Sequence, residues 1–189
     1  MIISDSITTR INIGQVKNNI DTNKEGIIFK KFPGHTAEDI AFYAPKPLSD
    51  VNPDQVVVIA GTNDLTRAMY EKDSVDEYHV VESILKVGRA AKNQGAKKVF
   101  LSSILDRRGY HYREAIKRVN DLLYMACIAE DFVFLDQCDI TLDHISSDGI
   151  HPNPSGTAIL KFNILCVFSS FDSNFMDFKE EYERAKSMH

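Results

Sequence analysis

Gln55-Val56-Val57-Val58-Ile59-Ala60, followed at once by Gly61-Thr62-Asn63-Asp64, is the stretch on which the fold turns. After Gln55 the run is apolar at every position and largely β-branched, a composition that favours extended backbone. Continuous rather than alternating hydrophobicity marks a strand covered on both faces, as strands of a parallel sheet are. The run then breaks into glycine and three polar residues, which is turn chemistry.

Working outward, shorter runs of the same kind occur at Ile2-Ile3, Gly26-Ile27-Ile28-Phe29, Val99-Phe100-Leu101 and Phe132-Val133-Phe134-Leu135. Between them lie segments of helical period. Val80, Val81, Ile84, Leu85, Val87 and Ala91 form one stripe, with Gly95 as its stop signal. Ile116, Val119, Leu122, Leu123, Ala126 and Cys127 form another at the i, i+3, i+4, i+7 spacing. Strands alternating with helices of this length predict right-handed crossovers and a parallel sheet of five strands sandwiched by helices.

The chain has 189 residues, 43% hydrophobic and 26% charged, which suits one globular domain and excludes intrinsic disorder. We expect that domain over residues 1–172, with 173–189 a charged helix or tail. No internal repeat or linker is visible. Twenty-seven acidic against 22 basic residues argue against a dedicated nucleic-acid or anionic-membrane binder. Cys127, Cys138 and Cys166 have no CxxC spacing and cannot all pair, which points to a reducing compartment. No signal peptide opens the sequence, and the apolar region from Ile159 to Phe171 is interrupted by Lys161 and Asn163 and too short to span a bilayer. The expectation is a soluble, cytoplasmic protein.

In such a sheet, ligands bind beyond the carboxyl ends of the strands. Ser4-Asp5-Ser6 follows the first strand, Pro33-Gly34-His35-Thr36 the second and Gly61-Thr62-Asn63-Asp64 the third; Asp148-Gly149-Ile150-His151-Pro152-Asn153 comes after the fifth. A serine becomes a nucleophile when a histidine takes its proton and a carboxylate orients that histidine. Ser6, His151 and Asp148 are the candidates, because a separation of three residues lets Asp148 reach Nδ1 and leaves Nε2 for Ser6. Oxyanion donors can come from the amides of Ser6 and Gly34 and the side chain of Asn63. At Gly34 the missing Cβ would also let the backbone approach a substrate closely. Singly, each cluster has a plainer reading: a helix N-cap, a turn, a capped strand end, a loop with an incidental histidine. Jointly, all four fall in order, each at a strand end.

These blocks resemble the SGNH/GDSL hydrolases, whose four motifs carry Ser, Gly, Asn and His. The resemblance spans roughly residues 2 to 165. It implies a flavodoxin-like α/β/α sandwich with a five-stranded parallel sheet and a metal-independent esterase or lipase mechanism without a cofactor. It also implies that the catalytic roles fall on Ser6, Asp148 and His151 and the oxyanion hole on Ser6, Gly34 and Asn63. In finer texture, Ile3-Ser4-Asp5-Ser6-Ile7, Phe32-Pro33-Gly34-His35-Thr36-Ala37, Val119-Asn120-Asp121-Leu122-Leu123 and Asp148-Gly149-Ile150-His151 are similar to the esterase-like domains of non-LTR retrotransposon open reading frames. Two departures stand out: Ser4 replaces the glycine that usually opens the first block, and only Met1 to Ile3 precede it, which suggests a natural protein extending upstream.

Other residues invite functional readings. Asp143-His144 reads as a solvated loop pair rather than a second catalytic dyad. His35 reads as a surface turn residue that could touch substrate, and Asp64 as a cap or loop anchor. Arg107, Arg108, Arg113, Lys117 and Arg118 form the one basic cluster, which reads as a charged loop running into a solvated helix face; an RNA, phosphate or lipid-headgroup contact is the sharper alternative, with Tyr110 and Tyr112 as stacking residues. Cys127 belongs to the core. No His, Cys, Asp or Glu set has metal-ligand spacing. The expected function is hydrolysis of small carboxylic esters such as acetyl groups on a sugar, lipid or other alcohol. The competing reading is an inactive module of the same fold that binds lipid, RNA or a protein partner.

Overall fold

The computed structural model describes residues 1–12, 26–71, 74–168, 182–184 and 187. Its five strands form one parallel sheet in the order β2-β1-β3-β4-β5. β1 (Ile2–Ser4) is only three residues long yet lies inside the sheet, pairing with β2 (Phe29–Lys31) on one side and β3 (Gln55–Ile59) on the other. β4 (Lys98–Ser102) and β5 (Val133–Leu135) complete it. The predicted second strand is displaced: Ile27 and Ile28 precede β2, although the Ile28 carbonyl still accepts from the Ile2 amide at 2.7 Å.

Neighbouring residues of β1 and β3 point to opposite faces, as the strand period requires. Ile3, Val56 and Val58 join a core with Ile40, Leu48, Ile84 and Val119, whereas Ile2, Val57 and Ile59 join a second core with Ile159, Leu160 and Ile164. The three layers are unequal. Helices α1 (Ala37–Tyr43), α2 (Pro45–Val51), α3 (Thr62–Glu71), α4 (Glu77–Asn93) and α5 (Tyr110–Glu130) contribute to the first core. Among the described helices, α6 (Pro154–Phe168) alone covers the second, helped by Ile7, Ile11, Ile27, Leu105, Ile140 and Ile145 from connecting segments.

The two helical stripes read from the sequence are α4 and α5. Gly95 ends α4 at φ +91° in a Schellman motif, with its amide on the Lys92 carbonyl and that of Ala96 on the Ala91 carbonyl. α6 escapes a periodicity reading because it is apolar on nearly every side. The segment expected as a charged helix or tail lies outside the described residues apart from 182–184 and 187; there Tyr182 stacks on Phe162 at 4.3 Å and donates to Asp139 at 2.6 Å. Among the described residues no helix is long and apolar enough to cross a membrane.

Candidate active site

Ser6 opens a 3-10 turn (Ser6–Thr8) directly off β1. Asp5 caps that turn, its Oδ1 accepting from the Ile7 amide at 3.0 Å. Ser4, in place of the expected glycine, stays in the strand: the only described non-glycine residues with positive φ are Asn52 and Asp131, so no glycine is required here. The Ser4 hydroxyl is fully buried and bonded to that of Thr8, bracing the turn from below. Asp5 is also fully buried, and burial pushes its carboxyl up to about 7 against the pull of the Ile7 and Thr62 amides.

His151 is presented by a tight loop that is closed by the antiparallel bridge Ile145↔Pro152 and by Ser146 donating to the His151 carbonyl through its amide at 2.9 Å and its hydroxyl at 2.8 Å. Within it, Asp148 Oδ1 accepts from the amides of Ile150 and His151 and the hydroxyl of Ser146, each at 2.9 Å. Asp148 Oδ2 lies 3.1 Å from His151 Nδ1, and His151 Nε2 lies 3.0 Å from Ser6 Oγ. Partial desolvation pushes the Asp148 carboxyl up, but this set of hydrogen bonds outweighs it and holds the group well below the usual carboxylate range. The three side chains therefore form one continuous chain of contacts across 145 residues of sequence.

Gly34 occupies a turn in which His35 N–H returns to the Phe32 carbonyl at 3.2 Å, with Pro33 and Gly34 in the middle. Its φ of +78° is that of the third position of a type II turn. A Cβ at Gly34 would meet nothing within 4 Å, so the backbone angle is what calls for glycine within the protein. The turn is placed by Phe32 donating to the Ser4 carbonyl at 2.7 Å. Asn63, in the first turn of α3, donates through Nδ2 to the His35 carbonyl at 2.8 Å, which fixes the amide beside the Gly34 turn and leaves its second N–H for another acceptor. Asp64 ties the same turn to α3: its carboxylate accepts from the Ala37 amide at 2.9 Å and so caps α1 rather than its own helix. Burial raises its pKa against that bond.

Sequence reasoning missed the arginines that hold these loops together. Arg107 is no part of a solvated cluster: it is buried, donates through Nη1 to the Thr62 carbonyl and the Thr66 hydroxyl at 2.9 Å each, and lies 4.2 Å over the Tyr112 ring. Arg108 binds the histidine loop, its amide donating to the Gly149 carbonyl at 3.0 Å and Nη2 to the Ile145 carbonyl at 3.2 Å. Arg113, Lys117 and Arg118 are exposed, the last two paired with Asp121 and Glu77. With Arg107 and Tyr112 committed inward, the RNA-binding reading of this cluster loses its centre. Asn120 closes the frame, its amide group both donating to and accepting from the Ile104 backbone at 3.0 and 2.8 Å. Arg10 donates to the Pro152 carbonyl at 2.7 Å and approaches Asp148 Oδ2 at 3.6 Å. Arg108 falls within a basic run whose packing no periodicity reveals, and Arg10 carries no sequence signal.

Two other expectations change. His144 is buried, not solvated; its Nδ1 accepts from the Thr141 amide at 3.1 Å and completes a capping box. The His35 ring packs edge-on against Phe32 and Tyr43 at 5.9 and 5.5 Å, and it is its carbonyl that serves the site. Cys127 is buried in the core as expected. Among the described residues no group of three or more His, Cys, Asp or Glu could hold a metal ion.

The family model for GDSL-like lipases and acylhydrolases matches residues 16–159. The chain belongs to this family. The matched segment contains the Gly34, Asn63 and His151 blocks and begins after the Ser6 turn. Members of this GDSL-like family are carboxylic ester hydrolases, and the chain is placed among them. Solved structures share the fold of this GDSL-like chain. An acetyl xylan esterase, AlAXEase, superposes with a TM-score of 0.76 at 16% identity, covering 89% of this chain and 99% of that one. A catalytic mutant of an acetylxylan esterase from Geobacillus stearothermophilus gives 0.73 at 17% identity, covering 90% and 93%. A GDSL-like lipase from Bacteroides thetaiotaomicron gives 0.70 at 22% identity, covering 88% and 85%. No curated protein gives a significant match.

Proposed function

We propose that this acylhydrolase is a serine esterase that cleaves small carboxylic esters through Ser6, His151 and Asp148. The observation that carries the reading is the unbroken line Ser6 Oγ, His151 Nε2, His151 Nδ1, Asp148 Oδ2, with contacts of 3.0 and 3.1 Å. Ser6 Oγ attacks the ester carbonyl carbon while His151 takes its proton; His151 then returns that proton to the departing alkoxide, leaving an acyl-enzyme. Water, deprotonated by the same imidazole, releases the acid and restores Ser6. Asp148, itself held by three donors, keeps Nδ1 protonated and faces the imidazolium as it forms. The amides of Ser6 and Gly34 and the free N–H of Asn63 take up the oxyanion charge.

Short acyl groups are the substrate class we favour: the site lies at the open edge of the sheet, and two of the solved structures of like fold are acetylxylan esterases. The finer kinship to esterase-like domains of retrotransposon open reading frames rests on the four sequence stretches alone; none of the relatives described above is a retroelement protein. The test is hydrolysis of p-nitrophenyl acetate, butyrate and octanoate by the wild type and Ser6→Ala. We expect turnover falling with chain length and lost in Ser6→Ala; equal turnover in the two proteins refutes the assignment.

A further inference from the structure

Arg10 sits five residues past Asp5 on the segment that leaves the Ser6 turn, yet its guanidinium reaches the far side of the site. Nη1 donates to the Pro152 carbonyl at 2.7 Å, and Nη2 lies 3.6 Å from Asp148 Oδ2, the oxygen that also meets His151 Nδ1. One planar group thus touches the residues on both sides of His151, a geometry that the forked guanidinium supplies and an ammonium does not. Asp148 Oδ1 is already saturated by three donors, so the carboxylate has one rotational constraint left to satisfy, and Arg10 is on that oxygen.

From this we infer that Arg10 is a positioning residue: it brackets the His151 loop against the nucleophile's own turn and so sets the separation between Ser6 Oγ and His151 Nε2. The inference rests on the esterase reading above for its kinetic consequence but not for its geometry. Arg10 and Asp148 expose 49% and 41% of their side chains, and exposed pairs of this kind add little to stability. Its effect should therefore fall on the alignment of the base rather than on folding. Other charges near the loop are already engaged elsewhere. Arg108 binds the Ile145 carbonyl, Lys31 binds the carbonyls of Thr8 and Ile11, and Asp5 lies buried beneath the Ser6 turn.

The experiment compares wild type with Arg10→Met and Arg10→Lys in the full chain, reading kcat and KM on p-nitrophenyl acetate, the melting temperature, and the NMR resonance of the His151 Nδ1 proton, assigned with His151→Gln. Small misplacements of catalytic groups are costly, so Arg10→Met should lower kcat about tenfold with KM within about twofold. The melting temperature should stay within about 2 °C, since an exposed pair of this kind is worth at most about 1 kcal/mol. The Nδ1 proton should exchange faster, and Arg10→Lys should recover part of both effects. The inference is overturned if kcat and the resonance match wild type, if KM alone rises, or if kcat falls only in step with the melting temperature. Because the resonance reads the His151–Asp148 contact without turnover, a wild type that hydrolyses no ester but loses this signal in Arg10→Met sinks the esterase reading and leaves the bracket standing.

Discussion

Replacing Asn63 with alanine separates chemistry from folding in this site. The side chain has two N–H groups. One is spent on the His35 carbonyl at 2.8 Å, and the other is left for the developing oxyanion. Asn63→Ala removes both. Losing an oxyanion donor typically raises the barrier by about 2.7–4 kcal/mol, a fall in kcat of about a hundredfold to a thousandfold. The structural loss is smaller: a partly buried hydrogen bond is worth roughly 0.5–1.5 kcal/mol, and in a chain of this size each kcal/mol moves the melting temperature by about 2–4 °C. Kinetics on p-nitrophenyl acetate beside a thermal melt should therefore show a drop of two or more decades in kcat with a melting temperature lowered by only a few degrees. If kcat stays within about fivefold of wild type while the protein remains folded, Asn63 is not an oxyanion donor.

Two further outcomes follow from the frame beneath the site. Asp5 is fully buried with its carboxyl pushed up to about 7, so the folded state holds its proton where the unfolded chain has lost it. The sign is then that wild-type stability declines as pH rises from about 4 to about 7 and levels off above, a penalty of at most about 4 kcal/mol. Asp5→Asn keeps the acceptor for the Ile7 amide and removes the penalty, so urea melts should show it more stable than wild type at pH 8 and equal to it near pH 4; a gain that does not vary with pH contradicts the burial argument. At Gly61, φ is +107° and an added Cβ would sit 2.5 Å from Ile104 Cδ1, 3.1 Å from its Cγ1 and 3.4 Å from Ile84 Cδ1. Gly61→Ala should cost about 2–4 kcal/mol through overpacking and backbone strain, lowering the melting temperature by roughly 5–15 °C and displacing Asn63 with it. Calorimetry that finds a change under about 2 °C would show that the turn relaxes freely.

What could be read along the chain was whatever depends on local pattern. The unbroken run Val56–Ala60 required a strand buried on both faces, and Val56 and Val58 do enter one core while Val57 and Ile59 enter the other. The stripes of α4 and α5 were visible because each buries one face and wets the other. The Asp148–His151 contact was visible because three residues on one turn bring carboxylate and imidazole together. Helix α6 hid its period by burying nearly all of its surface, and α1 is short and held by the Thr36–Asp39 capping box more than by hydrophobic content. The contacts that need long-range geometry were decided by the tertiary structure alone. Charge in a sequence reads as exposure, since burying an arginine costs more than local pattern can offset. Arg107 is buried all the same, because the Thr62 carbonyl, the Thr66 hydroxyl and the Tyr112 ring surround it, and those partners meet only once the sheet has formed. His144 is the same case at smaller scale, and Arg10 reaches Pro152 across 142 residues. The chain's pattern determined which groups stand at the strand ends, and packing decided which cations hold them in place.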